Sequence, residues 1–283
     1  MLRVSARTTQ RLAIVCVWGA GLAAVLSLLT IIGYVLVRGL PDIGWSFLTT
    51  PPKGGVSGEG GISTVIVATL ELLGLTLAML VPLGVGAGIY MSEYAPDNSL
   101  TRFIRLGTET LAGVPSIVFG MFGLALFVTA LHFRFSILSG ALTLVCLLLP
   151  TLIRASEEAL RAVPHSYREA ALALGATRWQ TIWRAVLPAA VPGIATGVIL
   201  CIGRGLGETA CLFVTMGGSA ALPTSLLSSG RTLSLDLFYR ATATNNITGA
   251  FAIAVILIAL IVVTNAITNW ISQRFRARMT GGA

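Results

Sequence analysis

The chain has 283 residues, 55% of them hydrophobic and only 11% charged, with a mean hydropathy of +0.88. So apolar a composition excludes a soluble globular domain and identifies an integral membrane protein. The formal charge of +8 comes from 19 Lys and Arg against 11 Asp and Glu; without a basic soluble face, it reports membrane topology and not nucleic-acid binding.

A bilayer core about 30 Å thick needs roughly 20 apolar residues per helix. Residues 12–37 carry no charge. The run is too long for a signal-peptide core and lacks a convincing small-residue cleavage site, so a retained first span is expected. The connection 38–61 contains PPKGGVSGEGG. It lacks the GK-[ST] ending of a phosphate-cradling loop and no G-x-G-x-x-G follows a strand elsewhere, so it reads as a flexible aqueous connector. The chain has no visible engine for ATP hydrolysis.

Further spans are expected at residues 62–91 (one charge, Glu71), 110–131, 135–153, 189–216 (Arg204 and Glu208) and 247–272. The predicted fold class is therefore an all-α integral membrane protein with six transmembrane helices, and β-barrel alternation is absent. The division runs 1–11 for an N-terminal segment, 12–272 for the membrane domain and 273–283 for a tail. Six spans place both termini on one side. That side collects Arg3, Arg7, Arg11, Arg102, Arg105, Arg154, Arg161, Arg168, Arg178, Arg184, Arg274, Arg276 and Arg278, while the other holds Arg38, Lys53, Arg134, Arg231 and Arg240. The arginine-rich side is expected to be cytoplasmic. Cys16, Cys146, Cys201 and Cys211 show no metal-ligand spacing and read as apolar packing residues. Gly84 with Gly88, and Gly193 with Gly197, have the spacing of close helix packing. The long external segment 217–246 has room for a short re-entrant or surface helix.

Between the fourth and fifth spans lies SYREAALALGATRWQTIWRAVLP, residues 166–188. Ser166 with Glu169 and Thr177 with Gln180 fit two capping boxes, predicting two short helices. Gly175 supplies a left-handed link between them, and Pro188 is expected to end the second helix. Such an elbow on the cytoplasmic side is a candidate docking element, against the plainer reading of an amphipathic connector.

Charges inside the membrane need a partner, a water-filled cavity or a function. Spaced by four on one helix, Arg204 and Glu208 are expected on one face, able to pair. Gly203, Gly205 and Gly207 strip bulk from the helix around them. Two readings stand: an ion pair that pins helices, or an anion gate in which Arg offers two parallel donors and the carboxylate accepts a proton from a protonated anion. Phosphate keeps a P–OH donor near neutral pH and sulfate does not, so Glu208 would discriminate between them. Glu71 and Glu109 are expected to pair with arginines and not to touch substrate.

The run from Glu169 resembles the coupling motif of ABC importer permeases: EAA, three residues, Gly, nine residues, Ile, one residue, Leu, Pro. Glu169, Ala170, Ala171, Gly175, Leu187 and Pro188 match in register, and Ala185 stands where the family has Ile. VPLGVGAGIYMSEYA (81–95), LAGVPSIVFGMFG (111–123) and GRGLGETA (203–210) look like the A-type permease subunit of bacterial high-affinity phosphate transporters. The resemblance spans about 61–271. It implies a plasma-membrane permease of the MetI-like type without catalytic residues, metal or cofactor. It also implies that Arg204 and Glu208 act in phosphate passage, and that Glu169, Ala171 and Gly175 transmit ATP-driven closure. The implied partners are a homologous C-type permease, two cytoplasmic ATPase subunits and an extracytoplasmic phosphate-binding protein. Rival readings are a permease for phosphonate, molybdate or sulfate, and a secondary transporter working without ATP.

Overall fold

A computed structural model describes residues 6–53, 59–244 and 246–279. Arg3, the centre of the glycine-rich connector and the last four residues lie outside these. Within the bilayer every backbone N–H and C=O needs an internal partner, so the apolar runs become helices. These are α1 (Ala6–Gly39), α2 (Trp45–Thr49), α3 (Ser63–Ile89), α4 (Ser99–Ala112), α5 (Ser116–Gly123) and α6 (Ile137–Arg161), then α7 (His165–Ala173), α8 (Arg178–Thr181), α9 (Leu187–Gly207), α10 (Ala210–Phe213), α11 (Leu233–Thr242) and α12 (Ile247–Met279). The connector after α2 forms a two-residue antiparallel ribbon, β1 (Pro52–Lys53) with β2 (Glu59–Gly60).

Among the described residues five helices are long and apolar enough to span, and a bent pair makes six if its two limbs are one crossing. The expected third span at 110–131 is corrected by this bend. Residues 99–112 and 116–130 form two limbs that meet at 102°. The cause is local: Pro115 has no N–H to offer and disfavours helical geometry at Val114, so the helix stops at Gly113 and restarts at Ser116. The fifth span also shifts. It runs continuously from Arg178 to Gly207, and residues 208–216 leave it.

Helix α6 is the centre of the bundle. Its Leu144, Leu148 and Leu152 are almost wholly buried, with Leu72 and Leu80 of α3 and Cys201 of α9 in the same cluster. Both glycine pairs serve this packing. Gly84 and Gly88 of α3 lie against Leu152 and Ser156, while Gly193 and Gly197 of α9 lie against Ala159 and Ala155. Small residues facing adjacent stripes of one helix thus bring both neighbours to close range, where dispersion replaces the missing hydrophobic drive. Cys201 and Cys211 are buried in this core, as expected; Cys16 is exposed. Its helix stands off the bundle, exposed from Ala13 to Ile31, and meets α12 only near its end, where Tyr34 and Phe251 stack edge to face at 5.6 Å.

Candidate functional site

The elbow has the two-helix form expected, with one signal misread. Thr177 and Gln180 close a capping box at α8. Ser166 caps nothing, because α7 begins one residue earlier behind Pro164, whose fixed φ already suits a helix start. Gly175 has φ +82, and the Gly175 and Ala176 amides bond back to the carbonyls of Leu172 and Ala171, closing α7 as a left-handed C-terminal cap does.

Pro188 does not end the second helix. A π-helical stretch, Ile182–Val186, joins α8 to α9, and Pro188 lies in the first turn of α9. A π-bulge absorbs the hydrogen bond that proline cannot donate, so the second elbow helix and the fifth span form one rod.

The motif residues divide by exposure. Glu169, Ala170 and Gly175 are exposed and Ala171 is half-buried, beside Leu174 at 89% exposure. Leu187 and Pro188 are half-buried, and Leu187 packs on the cluster of Ile89, Leu160, Val163, Ile182, Val186 and Ala190. The first half of the elbow thus presents a free surface, and the second anchors it.

Arg204 and Glu208 do not form the expected helical pair. The helix ends at Gly207, and Glu208 has extended backbone, φ −69 and ψ 128, so the i,i+4 geometry is lost. The glycines at 203, 205 and 207 remove the side-chain packing that would hold the last turn. Both residues are half-buried, and among the described residues Arg204 enters no ion pair. One carboxylate oxygen of Glu208, Oε2, is buried without a hydrogen-bond partner. Arg204 in the last turn of α9 and Glu208 just past its end thus do not neutralise one another. Such an arrangement leaves the guanidinium fork for an oxyanion and the free carboxylate oxygen for a proton that the anion carries.

Glu208 is fixed through its backbone. The Ser234 hydroxyl donates to its carbonyl at 2.7 Å, and Ser234 lies in the first turn of α11, behind the Thr232 cap. The same segment buries a triad the charge count had assigned to an outer loop: Arg231 to Asp236 at 3.0 Å and Arg240 to Asp236 at 2.9 Å. The four-residue spacing of Asp236 and Arg240 was the available signal. Glu109 pairs with Arg154 at 3.5 Å, as expected. Glu71 does not: it is exposed on α3, turned away from Leu72 and Leu73, and enters no ion pair among the described residues. Also missed was the contact of Arg168 with Glu93. A charged residue beside the motif Glu and another at the end of the second span were its only traces.

Residues 84–277 match the family of binding-protein-dependent transport system inner membrane components. The chain is 35% identical over 263 residues to phosphate transport system permease protein PstA 1 of Mycobacterium tuberculosis, covering 89% of this chain and 86% of that one. It is 40% identical over 200 residues to the probable ABC transporter permease protein YqgI of Bacillus subtilis, covering 70% and 68%. Among solved structures, the fold is similar to a chain of the bacterial alginate ABC transporter in complex with its alginate-bound periplasmic protein. There the TM-score is 0.68 at 15% identity, over 95% of this chain and 96% of that one. It is also similar to the inward-facing MetNI methionine ABC transporter, TM-score 0.60 at 18% identity, over 75% and 96%. The chain belongs to the binding-protein-dependent transport system inner membrane component family. It is a multi-pass membrane permease of the MetI-like fold, a transport component and not an enzyme, working in a complex with ATPase and binding-protein partners.

Proposed function

We propose that the chain forms half of the membrane pathway for inorganic phosphate in an ATP-driven importer, with Arg204 and Glu208 at the anion's path. The observation that carries this reading is the pair's failure to neutralise itself: among the described residues the Arg204 guanidinium enters no ion pair and Glu208, at the break of α9, keeps a buried carboxylate oxygen without a partner. A structural ion pair would have closed on itself. The phosphate-transport relative, alike over 89% of this chain, supports the choice of anion. Family membership weighs against an ATP-independent secondary transporter.

The companion is a C-type permease whose spans meet these at a pseudo-two-fold interface. A phosphate-binding protein delivers the anion from outside. Two ATPase subunits inside seat the elbow, residues 166–188, through Glu169, Ala170, Ala171 and Gly175, and Leu187 and Pro188 carry the displacement into α9. ATP-driven closure then rocks the membrane domain, 12–272, between outward and inward openings. The arginine asymmetry supports a cytoplasmic location for the elbow and for the segments 1–11 and 273–283.

The test is uptake by the whole transporter in vesicles. Phosphate should enter only with ATP inside and binding protein outside, with sulfate, molybdate and phosphonate competing weakly. Arg204→Gln should lower uptake by about tenfold or more while the complex stays assembled. Strong competition by another oxyanion would reassign the cargo.

A further inference from the structure

The first helix of the elbow has no buried residue. The rod of α8 and α9 is anchored by Thr181, Ile182 and Val186, but α7 lacks any comparable apolar grip. Among the described residues, its hydrogen bonds to the ends of the second and fourth spans come from one side chain. Arg168 is 17% exposed and donates through Nε to Glu93 Oε2 at 3.2 Å, through Nη2 to Glu93 Oε1 at 2.6 Å and to the Leu160 carbonyl at 3.0 Å, and through Nη1 to the Val163 carbonyl at 2.9 Å. Glu93 lies in the π-helical end of the second span, Tyr90–Tyr94, and its side chain is 11% exposed. Leu160 and Val163 lie at the C-terminal end of α6, where carbonyls lack helical donors.

One planar guanidinium therefore binds α7 to both members of the central α3–α6 pair. Its donors are fixed in a fork, so displacing α7 must move the carboxylate and carbonyls or break charge-assisted bonds. The link continues sideways: Arg105 of α4 donates to the Met91 carbonyl and pairs with Glu157 of α6, which also holds Arg161. We propose that Arg168 and Glu93 are positioning residues that transmit movement of the elbow to α3 and α6, separately from the route through α8 into α9. This rests on the elbow's proposed role as the ATPase contact. It adds which spans are driven and by which atoms.

The test uses the whole transporter in vesicles, with binding-protein-stimulated ATP hydrolysis and phosphate uptake measured together. Arg168→Lys keeps the charge and loses the fork; Glu93→Gln keeps the shape and loses the charge. Each should leave the ATPase subunits bound and hydrolysis within about twofold, while phosphate moved per ATP falls about tenfold. Because the two act through each other, Arg168→Lys combined with Glu93→Gln should be no worse than the worse single variant. An unchanged uptake-to-ATP ratio, or losses that multiply in the double variant, would overturn the proposal. So would loss of the ATPase subunits from Arg168→Lys, since the defect would then be docking and not transmission. If the unaltered transporter shows no ATP-driven uptake, it is the parent reading of the elbow that fails.

Discussion

Asp236 and Arg240 form a salt bridge of 2.9 Å in which each side chain is 1% exposed, and the second carboxylate oxygen of Asp236 takes Arg231 at 3.0 Å. One carboxylate thus holds two buried guanidinium groups. Arg231 also donates to the Gly218 carbonyl and lies over the Tyr239 ring, and Arg240 donates to the Gly61 carbonyl and lies over Phe47. Removing the carboxylate takes from both buried cations the anion they share. Asp236→Ala should therefore destabilise the protein by about 3–5 kcal/mol, the scale for breaking a buried pair from one side. Thermal unfolding of the detergent-solubilised chain measures this, and a melting point within a degree of the parent would contradict it.

Gly197 and Ala155 supply a prediction about packing. A Cβ on Gly197 would stand 2.6 Å from the Ala155 methyl, and one on Gly88 would stand 2.6 Å from Cβ of Ser156. By contrast, nothing lies within 4 Å of a Cβ on Gly74 or Gly86 of the same α3. Gly197→Leu and Gly88→Leu should each cost about 1–3 kcal/mol by overpacking. Gly74→Ala and Gly86→Ala should be neutral or slightly stabilising, since alanine favours a helix by up to about 1 kcal/mol over glycine. Equal melting points across the four variants would show that α6 does not pack as described.

These contrasts mark how far the residues were readable. Apolar runs pointed to the helices and glycine spacing to close helix packing, because a membrane restricts the backbone to few solutions; that α6 is the partner of both glycine pairs came only from the structure. The bend at Pro115 was less readable: an apolar run says that a segment is buried, not that it is straight. The Arg204–Glu208 pairing failed for a related reason. Four-residue spacing predicts a shared face only while the helix lasts, and three glycines let it end at Gly207. Arg231 and Arg240 were counted as loop charges because their burial depends on long-range contacts such as Arg240 with Gly61.

Gly175 separates backbone strain from docking. Its φ of +82 disfavours any L side chain, yet a Cβ there would meet nothing within 4 Å. Gly175→Ala and Gly175→Trp should therefore carry the same strain, about 1–2 kcal/mol. Their melting points should agree. Only the tryptophan projects into the space where the ATPase subunit is proposed to sit, so only it should abolish co-purification of that subunit. If both variants retain the ATPase and full uptake, the elbow is not the contact.

Glu208 bears on the cargo. Its free Oε2 can accept a hydrogen bond but has none to give while ionised, and a neighbouring anion must therefore bring a donor. Phosphate does, through its remaining P–OH; sulfate near neutral pH does not, and meets uncompensated repulsion in a poorly solvated place. Glu208→Gln removes that repulsion and adds an amide donor at nearly the same size. Sulfate should then compete with phosphate about tenfold or more better than in the parent, with phosphate uptake reduced. Ser234→Ala is the companion variant, because the serine hydroxyl holds the Glu208 carbonyl at 2.7 Å and touches no anion in this scheme. It should lower phosphate uptake by loosening the carboxylate's position and leave sulfate excluded, since the charge remains. A glutamine variant that transports phosphate at the parent rate and still rejects sulfate would show that Glu208 is not what tells the two anions apart.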